Sequence, residues 1–199
     1  ILTGFLGGAA LVIDATAGER ARQSLEPLLA TPAGRSQIMS GKILAACSVG
    51  LLGLLLTLLS FKLSFMLAPS LGIKLSLSWG QVALLLLVLV PIVLIGTSLL
   101  TAIAAGAKSV KEAQSYMSML MMLPILPTIV LMVNPIKNQL WQFAVPFLAQ
   151  NQMILKIVRS ENISALEWGV YLACGFGLGA LLWLIAARRY HNEKLAISA

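Results

Sequence analysis

Side chains able to do chemistry are few in this sequence, and most lie outside its apolar blocks. The one histidine, His191, follows the last apolar block. A zinc site of the H-E-x-x-H type, a bis-histidine haem and a histidine base within a membrane are therefore excluded. Gly41-Lys42 resembles the end of a phosphate loop, but Ser36 and Ile43 stand where that motif needs glycine and a hydroxyl residue. We therefore expect no catalyst and no cofactor in this chain, and any use of ATP would need a partner.

A few polar residues within the apolar blocks could instead contact a transported molecule. Lys62 is the basic residue that lies inside an apolar block, and it either touches substrate or extends to the outer membrane surface. Hydroxyl groups near the prolines of the chain could line a path, or could bond back to their own helices. These candidates for a translocation path are Lys62, Ser115, Tyr116, Ser118 and Thr128.

Composition identifies the solvent in which these residues must be positioned. Of the 199 residues, 59% are apolar and 11% are charged, with a net charge of +7. Soluble domains contain about half apolar and a quarter charged residues, so a bilayer is the expected environment. The basic residues are spread over short loops, which argues against nucleic-acid binding.

Apolar blocks of about 20 residues mark the membrane spans. We predict an all-α polytopic membrane protein with four complete spans at Ile43 to Leu67, Val82 to Gly106, Ala113 to Val133 and Leu166 to Ala187. The interiors of these spans contain no Asp or Glu, which leaves ion-coupled carrier chemistry unsupported. A further apolar piece, Ile1 to Ile13, is too short to span, so we expect a truncated span and a missing N-terminal part.

The pattern Ser/Thr-x-x-Glu/Gln predicts helix starts, because it satisfies two free backbone N–H groups. It begins at Thr16, Ser78, Ser109 and Ser164. Two further patterns, Gly4-x-x-x-Gly8 and Gly175-x-x-x-Gly179, allow close helix packing, and we expect this packing within the chain rather than between chains.

Lysine and arginine predict the orientation, because cytoplasmic loops retain them. The richer side comprises Arg20, Arg22, Arg35, Lys42, Lys108, Lys111, Arg188, Arg189 and Lys194, and the poorer side comprises Lys74, Lys137, Lys156 and Arg159. We therefore expect the tail, residues 188–199, to be cytoplasmic.

Two connections are longer than a turn. The inner one, residues 14–42, predicts an amphipathic helix over Thr16 to Ala30, kinked at Pro27, with Ala21, Leu25, Leu28 and Leu29 opposite Glu19, Arg22 and Glu26. The outer one, residues 134–165, predicts one or two interfacial helices. One side, mostly apolar, is Phe147, Asn151, Ile154, Leu155 and Val158, and the opposite side is Gln150, Gln152, Lys156 and Arg159.

The inner connection resembles the cytoplasmic loop of ABC-2 type exporter permeases, especially the sodium-export branch. In that family an E-R-E-x-G/x-T/S-L-E-x-L-L-x-x-P run precedes a Gly-Lys pair at the foot of the next span. The matching residues are Glu19, Arg20, Ser24, Leu25, Glu26, Leu28, Leu29, Pro32, Gly41 and Lys42, while Ala21 and Gln23 depart from the pattern. Residues 108–114 and 145–152 are similar to later loops of the same permeases, so the resemblance covers nearly the whole chain.

The resemblance implies the C-terminal half of a permease subunit in a bacterial plasma (inner) membrane, which exports sodium or another small ion or compound. A second permease copy would be its partner. A separate ATPase, which binds ATP and magnesium, would drive the export. The inner helix would be the coupling helix that docks on that ATPase. Its predicted interface is Glu19, Arg20, Leu25, Glu26, Leu28, Leu29, Pro32 and Lys42. The alternative is a membrane assembly or anchoring module that uses the same helix to bind a cytoplasmic partner without transport.

Overall fold

A computed structural model describes residues 1–19, 22, 34–67, 78–107, 109–133 and 139–192, and its regular elements there are all helices. In chain order the helices are α1 (Leu2–Leu6), α2 (Ala9–Ile13), a π-helical turn (Asp14–Gly18), α3 (Arg35–Leu67), α4 (Trp79–Gly106), α5 (Val110–Leu120), α6 (Met122–Val133), a 3-10 turn (Leu140–Phe143), α7 (Leu148–Val158) and α8 (Ala165–Asn192). The all-α class expected from composition is confirmed.

Four helical stretches are long and apolar enough to cross a membrane: Ser36–Ser64, Trp79–Gly106, Val110–Val130 and Ala165–Arg189. The first of these spanning helices, α3, begins at Arg35, well before the predicted start at Ile43. Its first residues are polar, and they extend the helix beyond the hydrocarbon core, so a hydropathy boundary underestimates the helix. Glu112 and Glu167 fall within the third and fourth stretches, but each lies in the first turn of its helix.

The third span is divided at Met121, between α5 and α6. Pro124 follows three residues later and has no N–H to offer the carbonyl of Leu120, and its ring crowds that carbonyl. The effect of the proline is therefore seen as a break in the helix. The N–H of Met121 still donates to the carbonyl of Met117 at 3.1 Å, so α5 keeps its hydrogen-bond pattern up to the break.

The N-terminal helix, Leu2–Gly18, consists of α1, α2 and the π-helical turn, and it continues past Thr16, where the capping pattern predicts a new helix start. Thr16 lies within the π-helical turn, and its hydroxyl donates to the carbonyl of Val12 at 2.6 Å. A threonine that bonds back to its own helix cannot cap a new one, so the predicted helix start at Thr16 is wrong. The other three starts are confirmed: Ser109 Oγ accepts from Glu112 N–H, Gln81 Oε1 accepts from Ser78 N–H, and Ser164 and Glu167 cap each other.

Helix α4 is the centre of the bundle. In its 18-residue apolar stretch 61% is buried, compared with 28%, 11% and 22% in the corresponding stretches of the first, third and fourth spans. Small residues let its neighbours approach closely. A Cβ at Gly175 would lie 2.9 Å from Pro91 Cβ, and a Cβ at Gly179 would lie 2.7 Å from Leu94 Cδ2. A Cβ at Gly8 would lie 2.4 Å from the carbonyl oxygen of Ala46 in α3. Both glycine patterns therefore serve packing within the chain, as expected.

Helix α7 packs on α4 and on the first turns of α8, in a cluster of Leu85, Val88, Phe143, Ala149, Met153, Ile157 and Tyr171. We call α7 the outer helix, after the orientation predicted from the sequence. Its burial does not follow the predicted division into apolar and polar sides. Gln150, Gln152 and Lys156 are buried, whereas Leu155 is 42% exposed. Two of these polar side chains can be buried because they find partners: Gln150 accepts from the N–H of Phe147, and Lys156 pairs with Glu167.

Candidate functional site

The candidate site lies where the end of the N-terminal helix meets the first turns of α3. We call it the inner junction, after the orientation predicted from the sequence. Lys42 Nζ donates to Glu19 Oε2 and also to the backbone carbonyl of Ala15, the latter at 2.6 Å. The side chains of Lys42 and Glu19 are 11% and 26% exposed, so both ends of the ion pair are largely shielded. A partly buried pair with an additional backbone bond is more strongly held than an exposed surface pair.

This junction joins two residues that are 23 positions apart and that both belong to the motif of the inner connection. Arg22 adds a second tie on the same side, because it donates to Asp14 Oδ1 at 2.7 Å, although both side chains are largely exposed. Residues 20–33 follow one of these helices in sequence and precede the other, and Lys42 holds the two helices together.

The structure brings together Glu19 and Lys42 from the predicted interface with the ATPase. The remaining predicted interface residues lie outside the described part of the chain, and for them the assignment stays a prediction: Arg20, Leu25, Glu26, Leu28, Leu29 and Pro32.

The candidates for the translocation path lie at two places. Lys62 is near the outer end of α3, where its side chain is buried and its Nζ lies 4.1 Å from the centre of the Trp79 ring. A lysine near the end of a span can extend its amine towards the membrane surface, and a contact of Lys62 with substrate stays a prediction.

The other path candidates lie on the third span, the least covered of the four. Ser115, Ser118 and Thr128 donate to carbonyl groups of their own helices, at 3.1, 3.2 and 3.0 Å. Tyr116 donates to Glu112 at 3.1 Å. Thr128 has a second contact, because its hydroxyl accepts from Asn151 Nδ2 at 3.0 Å, which ties the third span to the outer helix α7.

A second charged junction was not predicted from the sequence. Lys156 in α7 donates to Glu167 in the first turn of α8 at 2.5 Å, and Lys156 Nζ lies 5.1 Å from the centre of the Phe143 ring. The two side chains are 8% and 16% exposed. The signal for this junction in the sequence was Glu167, whose capping pattern predicted only the start of a helix. This outer junction links α7 to the first turn of α8, which is the last span.

The donor chemistry at both junctions is that of ion pairs rather than metal ligands. Within the residues that the structure describes, no group of three or more His, Cys, Asp or Glu side chains is close enough to hold a metal ion. The arrangement therefore supports mechanical linkage between helices at the inner and outer ends of the bundle.

Comparison with known proteins agrees with an apolar helical bundle of this kind. No curated protein and no solved structure matches the chain significantly. The model of the ABC-2 family transporter proteins matches residues 1–195, which is nearly the whole chain. Family membership implies an integral membrane protein that associates with an ABC ATPase subunit. The chain therefore belongs to the ABC-2 family of transporter proteins and is a permease component of an ABC exporter.

Proposed function

We propose that this chain docks on a separate ATPase subunit through residues 14–42 and converts ATP hydrolysis there into opening and closing of a translocation path. Its ATPase partner would bind both ATP and magnesium. The observation that carries the proposal is the inner junction, in which Lys42 holds Glu19 and the carbonyl of Ala15. A force applied between these anchor points would act on two membrane helices at once.

The rigid connection makes this mechanically reasonable. Helix α3 has 33 residues, so it is about 50 Å long and reaches beyond both faces of the hydrocarbon core. The N-terminal helix packs on α4 as well, because Phe5 lies against Gly96. A displacement at the inner junction is therefore passed to the central helix by packed backbone rather than by flexible side chains.

We further propose that a second copy of the permease completes the path, and that the third span faces it or the lipid. This span is weakly covered, and Met119, Met122 and Leu126 are exposed on it. Resemblance favours sodium as the substrate, with another small ion or compound as the alternative. Carbonyl and hydroxyl oxygens would be the ligands for a cation, because the described spans carry carboxylates only in their first turns. The site of action would be a bacterial inner membrane, with the C-terminus in the cytoplasm.

Two substitutions in the docking segment test the proposal. Leu25→Asp places a charge on the predicted apolar side, and Glu26→Lys reverses a predicted contact charge. We expect each to release the ATPase subunit, because the binding free energy should weaken by about 2 kcal/mol or more, as for central interface residues. The measurement is co-purification of the ATPase subunit with the intact protein in mild detergent.

The matched control is Leu140→Asp, which places the same charge on an exposed residue at the opposite end of the bundle. It should retain the ATPase subunit. If no subunit with ATPase activity binds the folded wild-type protein, or if Leu25→Asp and Leu140→Asp retain it equally, docking through this segment is wrong. Binding without ATP-dependent transport would favour the anchoring module instead.

A further inference from the structure

A small pocket lies where the first turns of α4 and α8 meet the end of α7. Its volume is about 250 Å³, and its lining includes Gln81, Ile157, Glu161 and Trp168. Apolar and polar side chains both contribute to this lining, and Glu161 is its charged residue within the described part of the chain. The pocket is therefore suited to a small charged group that has an apolar neighbour.

The walls of the pocket are held in place by hydrogen bonds between these elements. Gln81 Nε2 donates to the carbonyl of Ile157 at 3.0 Å and to Ser160 Oγ at 3.1 Å. Ser160 has a left-handed backbone conformation, with φ of 56°, and its N–H donates to the carbonyl of Ile157 at 3.1 Å. The N–H of Glu161 donates to the carbonyl of Lys156 at 2.9 Å. These last two bonds are a common way to end a helix, so they fix the direction in which the chain leaves α7. A pocket that is already formed loses little entropy when it binds a ligand.

The two spans place this pocket at the level of lipid headgroups. Helices α4 and α8 have 28 residues each, so each is about 42 Å long, whereas the hydrocarbon core is about 30 Å thick. A centred helix therefore extends by about 6 Å, or about four residues, into the headgroup layer at each end. Gln81 is the third residue of α4, and Trp168 is the fourth residue of α8. Leu84, one turn deeper on α4, also lines the pocket and is 41% exposed, so the apolar surface continues from the pocket towards the acyl chains.

Glu161 gives the pocket a preference for a cation. Its Oε1 lies 3.8 Å from Nη1 of Arg159, which is longer than a hydrogen bond, and the two side chains are 42% and 66% exposed. Such an exposed pair contributes little, so an incoming cation can displace the arginine. The pocket also lies at the C-terminal end of α7, where the helix dipole favours positive charge. The ring of Trp168 in the lining is a further attractive surface for a cation.

The oxygen atoms of the lining favour a primary ammonium group over a quaternary one. Besides Glu161, the lining includes Ser160 and Asn162, whose side chains carry a hydroxyl and an amide oxygen. A primary ammonium group donates three hydrogen bonds, whereas a quaternary group has no N–H to donate. Quaternary groups are recognised instead by cages of aromatic rings. Trp168 is the aromatic residue of the described lining, so such a cage is not formed by these residues.

We propose that this pocket binds the ammonium group of phosphatidylethanolamine, a phospholipid whose headgroup ends in a primary amine. Glu161 accepts hydrogen bonds from the ammonium group, Trp168 lies beside it, and the acyl chains follow Leu84 towards the hydrocarbon core. Arg159 competes with the lipid for Glu161. The bound lipid lies against α4 and α8 together. This inference does not depend on the docking of an ATPase.

Native mass spectrometry of the intact protein in mild detergent measures this binding. The probes are phosphatidylethanolamine and phosphatidylcholine with identical acyl chains, and the dissociation constants of the first bound lipid are compared. We expect phosphatidylethanolamine to bind about fivefold more tightly, which corresponds to the upper value for an exposed ion pair.

Three variants separate recognition of the ammonium group from general lipid contact. Glu161→Gln should make the two lipids bind equally. Arg159→Gln removes the competing cation, so it should increase the preference for phosphatidylethanolamine. The matched control is Glu112→Gln, which removes a carboxylate in the first turn of α5, at the opposite end of the bundle, and should leave the preference unchanged.

Four results would overturn the proposal. Equal dissociation constants for the two lipids in the wild-type protein would indicate general lipid contact only. A preference that survives Glu161→Gln would place the ammonium group elsewhere. A preference that is lost with Arg159→Gln would show that the arginine binds the lipid rather than competing with it. Displacement of the lipid by an equal concentration of free phosphoethanolamine would show that the ligand is a soluble amine.

Discussion

Replacing Gly96 with alanine is expected to disrupt the packing of the N-terminal helix on α4. An added Cβ would lie 2.2 Å from the carbonyl oxygen of Phe5 and 2.8 Å from its ring. The closer atom belongs to backbone, so it cannot be relieved by a change of side-chain rotamer, and α1 must move as a whole. We expect a loss of at least about 3 kcal/mol, the upper end for overpacking, and a melting temperature lower by about 6–12 °C.

The matched control is Gly177→Ala in α8, where an added Cβ meets nothing within 4 Å. Alanine is the better helix former by about 1 kcal/mol, so this variant should be neutral or slightly more stable. Thermal unfolding in one detergent, followed by circular dichroism, compares the two variants. Equal melting temperatures would contradict the close approach of α1 to α4.

Removing the charge of Lys156 is expected to loosen the outer helix. Lys156→Met keeps the apolar stem but leaves Glu167 largely shielded without its cation, and loss of one partner of a buried pair costs about 3–5 kcal/mol. Glu167 keeps its hydrogen bond from the N–H of Ser164, so the lower end of this range applies. The measurement combines the melting temperature with amide hydrogen exchange of Leu148–Val158.

Two further variants distinguish the pair from general helix contacts. Arg159→Met breaks an exposed pair with Glu161 at 3.8 Å, which should cost no more than about 1 kcal/mol. The double variant Lys156→Met/Glu167→Gln removes both charges and keeps a capping side chain, so it should recover much of the loss. A double variant as unstable as Lys156→Met alone would show that the charge of Glu167 is not the cause.

The spans could be predicted from the sequence because the bilayer acts on composition within a single helix. Helix starts and caps were predicted less accurately, because polar residues and local hydrogen bonds decide them. The start of α3 at Arg35 is set by polar residues that continue the helix into the headgroup region. Thr16 has the right spacing for a cap, but a continuing helix supplied the carbonyl of Val12 as its partner.

The inner junction could be predicted in part. The motif identified Glu19 and Lys42 as neighbours of the docking segment, whereas their ion pair depends on the packing of two helices that are distant in sequence. The outer junction was missed because a helical wheel assigns polar side chains to water. Lys156 is buried instead, since α8 supplies a carboxylate and Phe143 supplies an aromatic face.

The measurement that tests the central claim most directly is the rate of ATP hydrolysis by the partner subunit, alone and bound to this chain in proteoliposomes. Three variants are compared with wild type: Glu19→Lys, Lys42→Glu and the double exchange, which restores an ion pair with the two charges exchanged. We predict that wild type changes the rate, that each single reversal loses most of this effect, and that the double exchange regains it. If the bound subunit hydrolyses ATP at its free rate, or if the single reversals behave as wild type, the inner junction does not couple ATP hydrolysis to the membrane helices.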